Sequence, residues 1–284
     1  MKNILLACSL VFTMLATAMA EDSRQAADTL YSQREASETG VQKAIDAADM
    51  YLRLATNAKS NEKNSLLISA SRAYYFVGTF KADKKQKIEI FEKGMAAAQT
   101  VLTAYLPELK QQNLEAVAKE VLDKVNPNEV LELSHALYYE GINLGSWAEA
   151  NGITQSLSKW PTLRNYMLLV NLLKKEDINL YGASRVLGRA YYRLPVIAGG
   201  DKDKARTYLS AAFNNTQQGG ISRSGNNNVF YAEFLYNSEK KKDEAIKLLK
   251  AFVAANADTL DPDSIPETKV AQGTAKKLLA DWEE

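Results

Sequence analysis

His135 is the only histidine of this 284-residue chain and Cys8 its only cysteine. The usual carriers of proton transfer, thiolate attack and metal ligation are therefore scarce. His135 lies between Leu133 and Leu137 on a stretch that reads as helix, and a catalytic base needs a nucleophile and an orienting acid within reach. No G-x-S-x-G accompanies it; "GISRSG" at 220–225 has glycines five apart but no strand before it. "DKDKA" at 201–205 alternates acids as a calcium loop begins, yet Arg206 holds the place of the required glycine and no glutamate closes the loop. Gly199-Gly200 ahead of a helix could hold an anion on free amides, but no Lys-Ser/Thr pair follows to make a nucleotide site. A cell-wall glycosidase would need a paired-carboxylate cleft, whereas the acids here fall on polar faces such as "KKKDEAIK". The expectation is a protein that is not an enzyme, with no metal and no cofactor.

What the chain does concentrate is aromatic side chains. Tyr138, Tyr139, Trp147, Trp160, Tyr166, Tyr181, Tyr191 and Tyr192 cluster in its middle. Neighbours on a helix point about 100° apart, so adjacent tyrosines cannot share one core. Tyr138 and Tyr191 are assigned to packing, which turns Tyr139 and Tyr192 toward a concave surface or cavity. There an apolar body with a polar tip suits a ligand or a protein partner. Asn143 follows Tyr139 by one turn on the same face, and Arg185 is the nearest residue able to fix a carboxylate. Tyr139, Asn143, Trp147, Tyr181, Arg185 and Tyr192 form the candidate binding set.

The elements that must position them read as helices. Ala, Leu, Lys, Glu and Gln dominate most segments, and these lose little freedom in that conformation. Leu66, Ala70, Ala73, Val77 and Phe80 recur at threes and fours, as do Leu133, Leu137, Gly141, Leu144 and Ala148. No alternating run is long enough for a sheet. Asn126-Pro127 offers a cap and a first-turn proline, Asn151-Gly152 an end, and Trp160-Pro161 a new start. Residues 214–228, "NNTQQGGISRSGNNN", read as a mobile surface loop, and "NADTLDPDSIPET" as a second connector.

"RVLGRAYYRLPVIAGGDKDKARTYLSAAF" at 185–213 carries a proline and a Gly-Gly between two helical halves. Leu187-Gly188 with Tyr191 gives the L-G-x-x-Y core of a tetratricopeptide first helix, and Ala205, Leu209 and Ala212 supply the face of its second. Pro195 to Gly200 is then an enlarged turn, with Asp201 capping the helix after it. Val229, Ala232 and Tyr236 followed by Ala245 and Leu249 repeat the pattern. The fold expected is all-α: about four tetratricopeptide-like helical hairpins stacked as a short solenoid. The segments are a signal peptide at 1–20, N-terminal helices at 21–60, the repeat domain at 61–258 and a C-terminal helix at 259–284.

Lys2, the apolar stretch Ile4 to Leu15, and Ala18-Met19-Ala20 have the layout of a cleavable export signal, cut after Ala20. Acylation at Cys8 is the less favoured alternative, since few apolar residues precede that cysteine. The mature chain then has no cysteine and relies on burial alone. With 35 basic against 34 acidic residues, mixed along the length, there is no basic stripe for nucleic acid.

In order along the chain, "ALYYEGINLGSWAEANG" at 136–152, "YGASRVLGRAYYRLP" at 181–195, "GGDKDKARTYLSAAF" at 199–213 and "VFYAEFLY" at 229–236 resemble the T component associated with TRAP transporters, the TatT family. The likeness extends over roughly 74–254. It implies an all-helical periplasmic protein that self-associates, as a trimer, and engages the substrate-binding P component of a tripartite transporter. It also implies apolar channels that handle hydrophobic small molecules. The matching residues are Tyr138, Tyr139, Gly141, Asn143, Leu144, Trp147, Gly182, Arg185, Gly188, Tyr191, Pro195, Gly200 and Asp201, most of them expected to maintain the fold. Two other roles compete with this one: a general tetratricopeptide scaffold for envelope assembly without a small ligand, and the enzyme set aside above.

Overall fold

A computed structural model describes residues 23–81, 83–106 and 113–283. The export-signal reading at 1–20, with Cys8 and the cut after Ala20, lies outside the described residues.

Helices α1 (Arg24–Ser32) and α2 (Glu38–Asn57) lead in. Four hairpins follow. The first pairs α3 (Ser60–Phe80) with α4 (Lys84–Tyr105). A short α5 (Leu114–Lys124) precedes the second, α6 (Pro127–Asn151) with α7 (Ile153–Leu172). The third is α8 (Gly182–Arg193) with α9 (Lys202–Asn214), and the fourth α10 (Gly225–Asn237) with α11 (Lys242–Ala254). A one-turn α12 (Ala257–Leu260) leads to α13 (Ile265–Glu283), which packs on α10 and α11. Consecutive helices pack on one another in chain order, giving the all-α stack that the periodicity predicts.

The sequence signals act as their chemistry requires. Asn126 accepts from the amides of Asn128 and Glu129 to cap α6, with Pro127 in the first turn. Gly152, at φ 104°, stops it. Asp201 accepts from the amides of Asp203 and Lys204 at 3.0 Å each. Gly188 lies against α9: a Cβ there would come within 2.8 Å of the Leu209 backbone nitrogen. Leu133, Leu137, Leu187 and Leu209 are all buried. One core runs from Ala27 to Phe234, and a second joins α9 to α13 through residues such as Phe213, Leu249, Phe252 and Ala275.

Two expectations need correction. Trp160-Pro161 does not start a helix, because α7 runs through Pro161. The turn before it is largely exposed, so water can satisfy the carbonyl that the missing amide leaves free. Residues 214–228 are not a mobile loop. Gly219 and Gly220, at φ 63° and 87°, turn a hairpin of Gln217–Gln218 and Ile221–Ser222, and α10 already begins at Gly225. The polar side chains there are bonded inward. Asn228 bridges the Ser222 amide and carbonyl at 2.8 Å each, and Asn227 donates to the carbonyls of Leu180 and Ala212. The connector at 256–268 is likewise mostly α12, a 3-10 turn at Pro262–Ser264, and the start of α13.

Candidate functional site

The first helix of each hairpin, α3, α6, α8 and α10, contributes to two recesses on one side of the stack. One, of about 410 Å³, is lined by tyrosines and charges, among them Tyr31, Arg72, Tyr138, Tyr139 and Arg185. The other, of about 440 Å³, is lined chiefly by apolar groups such as Ile153, Trp160, Leu163, Ala190 and Leu194. Tyr75, Ile142, Val186 and Phe230 line both. Each of these four comes from a different inner helix, so together they stand where the two recesses adjoin. Along α6 the order is Tyr138 and Tyr139, then Ile142, then Gly145 to Glu149; along α8 it is Arg185, Val186, then Arg189 to Leu194. The inner helices thus run in one direction, and between Tyr138 and Glu149 α6 advances roughly 16 Å.

Arg185 is held by neutral groups throughout. Its Nη2 donates to the Tyr138 hydroxyl at 2.9 Å. Its Nη1 donates to Asn227 Oδ1 at 3.0 Å, the Asn179 carbonyl at 3.2 Å, Ser224 Oγ at 3.3 Å and the Leu180 carbonyl at 3.4 Å. Arg72 lies 5.0 Å over the Tyr31 ring and donates to the Asp263 carbonyl at 3.4 Å. Tyr139 donates to Asn179 Oδ1 at 3.1 Å, while the buried Asn179 Nδ2 has no protein acceptor. Burial pushes the Tyr75 hydroxyl up to about 12 and raises Tyr139 as well, so both remain protonated donors at neutral pH. Behind Tyr31 and Glu267, Arg34 is 5% exposed, bidentate to Glu267 at 3.1 Å on each oxygen, bonded to the Asp263 carbonyl, and stacked on Tyr31 at 4.3 Å. In the apolar recess the cation Arg189 is instead neutralised by Glu233 of α10.

Of the six residues named from the sequence, Tyr139 and Arg185 line the polar recess. Asn143 shares the Tyr139 helix but is fully buried against the first hairpin, donating to the Ser71 carbonyl and hydroxyl and to the Tyr139 carbonyl. Trp147 bridges α6 to α4 through a 3.0 Å bond to Glu92 Oε1. Tyr181 is half-buried at the start of α8 with φ 59°. Tyr192 packs edge-on to Phe234 at 5.8 Å, between the third and fourth hairpins. The partition of the tyrosine pairs is also more even than expected, since Tyr138 and Tyr139 are both buried at 5% exposure.

Arg72, Tyr75, Ile142, Val186 and Phe230 were not singled out on the sequence. Arg72 had a signal: it is a full charge inside the otherwise apolar run "LLISASRAYYFVGTF". The four residues shared by the recesses had none, since each looks like an ordinary core position. His135 stacks 6.4 Å from Tyr139, and burial lowers its basicity, helped by Arg72. Among the described residues no three metal-ligating side chains come together, and no helix is long and apolar enough to cross a membrane. The chain matches no protein-family model and no curated protein.

Proposed function

We propose that the protein is an exported, non-catalytic binding component that works with a tripartite transporter of the TRAP type, holding a hydrophobic small molecule in its channel and docking a substrate-binding partner. The paired recesses support this reading: four hairpins each place one side chain, Tyr75, Ile142, Val186 and Phe230, against both of them. Exposed apolar residues at or near the apolar recess, Val196 at 85%, Ile197 at 99% and Ile153 at 69%, suit a protein surface that is covered in use.

Those same exposed residues also favour a second reading, a tetratricopeptide scaffold gripping envelope proteins with no small ligand. Native followed by denaturing mass spectrometry of the protein purified from its own periplasm separates the two. The expected result is a trimer that releases a small apolar molecule on denaturation. A ligand-free monomer that captures extended peptides would replace the first reading with the second.

A further inference from the structure

A turn joins the inner helix of each hairpin to the outer one. Because the inner helices run in one direction, the four turns fall on one edge of the stack, and contacts link them in chain order. Trp147, late in α6, bonds to Glu92, early in α4. Ile153 of the second turn and Pro195 of the third line the same recess, and Gly199 lies against Trp160. Arg206, early in α9, is bonded twice to Glu239 of the fourth turn. The whole chain is close to neutral, with 35 basic and 34 acidic residues, but this edge is not. It carries "KADKK" at 81–85, "RLPVIAGGDKDK" at 193–204 and "SEKKK" at 238–242. Most of its acids are engaged. Asp83 and Asp201 cap α4 and α9, Asp203 and Glu239 are paired with Arg206, and Glu244 is paired with Lys241. Glu149 and Asp243 are exposed. Lys84, Arg193, Lys202, Lys240 and Lys242 are also exposed, and among the described residues none of the five is in an ion pair.

In the middle of the edge, Val196 and Ile197 are the most exposed large apolar side chains among the described residues, with Ile153 next. Their loop is tightly folded. The amides of Ala198 and Gly200 donate to the Pro195 carbonyl, and that of Gly199 to the Val196 carbonyl, all at 2.9–3.0 Å. The Asp201 amide ties the end of the loop to the Tyr191 carbonyl at 3.0 Å, and a Cβ on Gly200 would collide with the Leu194 carbonyl oxygen. An ordered loop thus holds two aliphatic side chains in water, where they are unfavourably placed. Three of its amides already have acceptors, so it can leave water without orphaning them.

We infer that this edge docks on an anionic lipid bilayer, with Val196 and Ile197 entering the headgroup and upper acyl region and the flanking cations meeting lipid phosphates. Neighbouring helices pack roughly 8–10 Å apart, so cations on the first, third and fourth turns reach several headgroups at once. A nucleic acid offers the charge but no apolar layer for the tip, and a free phosphate is too small for either. The combination of an apolar tip and a basic surround is what holds a peripheral protein at a charged interface. The inference goes beyond the function proposed above and stands whether or not the recesses hold a ligand. It makes lipid the surface that covers Val196 and Ile197 in use.

Co-sedimentation of the purified protein with two kinds of vesicle tests it, one of phosphatidylcholine alone and one of phosphatidylcholine and phosphatidylglycerol in equal parts. Binding to the anionic vesicles should be about tenfold or more tighter than to the neutral ones, and should weaken as salt is added. Val196→Ser combined with Ile197→Ser should weaken binding to the anionic vesicles about tenfold or more. Helicity should stay unchanged, since both side chains are exposed. Lys84→Glu with Lys242→Glu, at the two outer turns, should reduce the preference for anionic vesicles. Equal binding to the two vesicle types would overturn the inference. So would binding that the paired serine substitutions leave intact, which would place the attachment elsewhere on the chain. Absence of vesicle binding would overturn it as well; if those serines then split an oligomer in sedimentation velocity, the tip is an interface between copies. The comparison of vesicles uses wild-type protein, so it decides the matter even if a variant fails to fold.

Discussion

Glu140 is a carboxylic acid inside a helical hairpin, only 6% exposed, with its Oε2 unbonded. Burial raises its pKa from 4.5 to about 8, because a charge there would lose its hydration. The folded chain therefore holds a proton that the unfolded chain releases as pH passes about 4.5. Stability should be fullest below that pH and should fall by up to about 1.4 kcal/mol per unit until pH 8, where the folded form also ionises. Glu140→Gln should flatten this slope and stabilise the protein above neutrality, as read by urea unfolding at several pH values; an unchanged slope would show that the acid is solvated. The same residue-level view explains what could be read beforehand. A helical wheel shows that Tyr139 and Asn143 share a face. It does not show that this face divides, the tyrosine reaching Asn179 and the amide reaching Ser71. Arg185 was legible because it lies within the aromatic cluster as a guanidinium able to fix a carboxylate. Ile142 and Val186 were not, because lining a channel and filling a core require the same side chain.

At the scale of elements, the hairpins were legible and the connections less so. Gly188 marks the closest approach of α8 and α9, and Asp201 marks the restart after an enlarged turn. Both follow from local chemistry. Gly188→Ala would drive a methyl into the Leu209 main chain, which cannot rotate away. A loss of about 1–3 kcal/mol is expected in chemical denaturation, with the third and fourth hairpins unfolding first in hydrogen exchange. A neutral effect would mean that the two helices slide apart freely. Residues 214–228 show why composition misleads: Asn, Ser and Thr are frequent in loops because they bond to backbone. Here the same capacity serves a buried network through Asn227 and Asn228. Pro161 misleads in the opposite sense, since an exposed turn tolerates a missing amide.

At the scale of the whole molecule, the stack does not end in two free faces. Arg34, just after α1, and Glu267, at the start of α13, lie 233 residues apart and tie the two ends of the stack together. Nothing local in the sequence signals this pairing; it exists only because four hairpins curve far enough to bring the ends together. Arg34→Ala leaves Glu267 without its partner and Tyr31 without its stacked cation. A cost of about 2–4 kcal/mol is expected, between the values for exposed and buried ion pairs, with unfolding resolving into two transitions as the ends uncouple. A single cooperative transition of unaltered midpoint would assign the pair no role in closure.

That clasp also bears on when the protein becomes competent. A folding chain can raise its hairpins one after another, since each leans mainly on its neighbour. The floor of the vestibule, however, waits for the final helix, and so remote a contact is slow to form. The polar recess is therefore complete only once the last helix has docked, and any copy cut short before its last segment would have every repeat yet lack that wall.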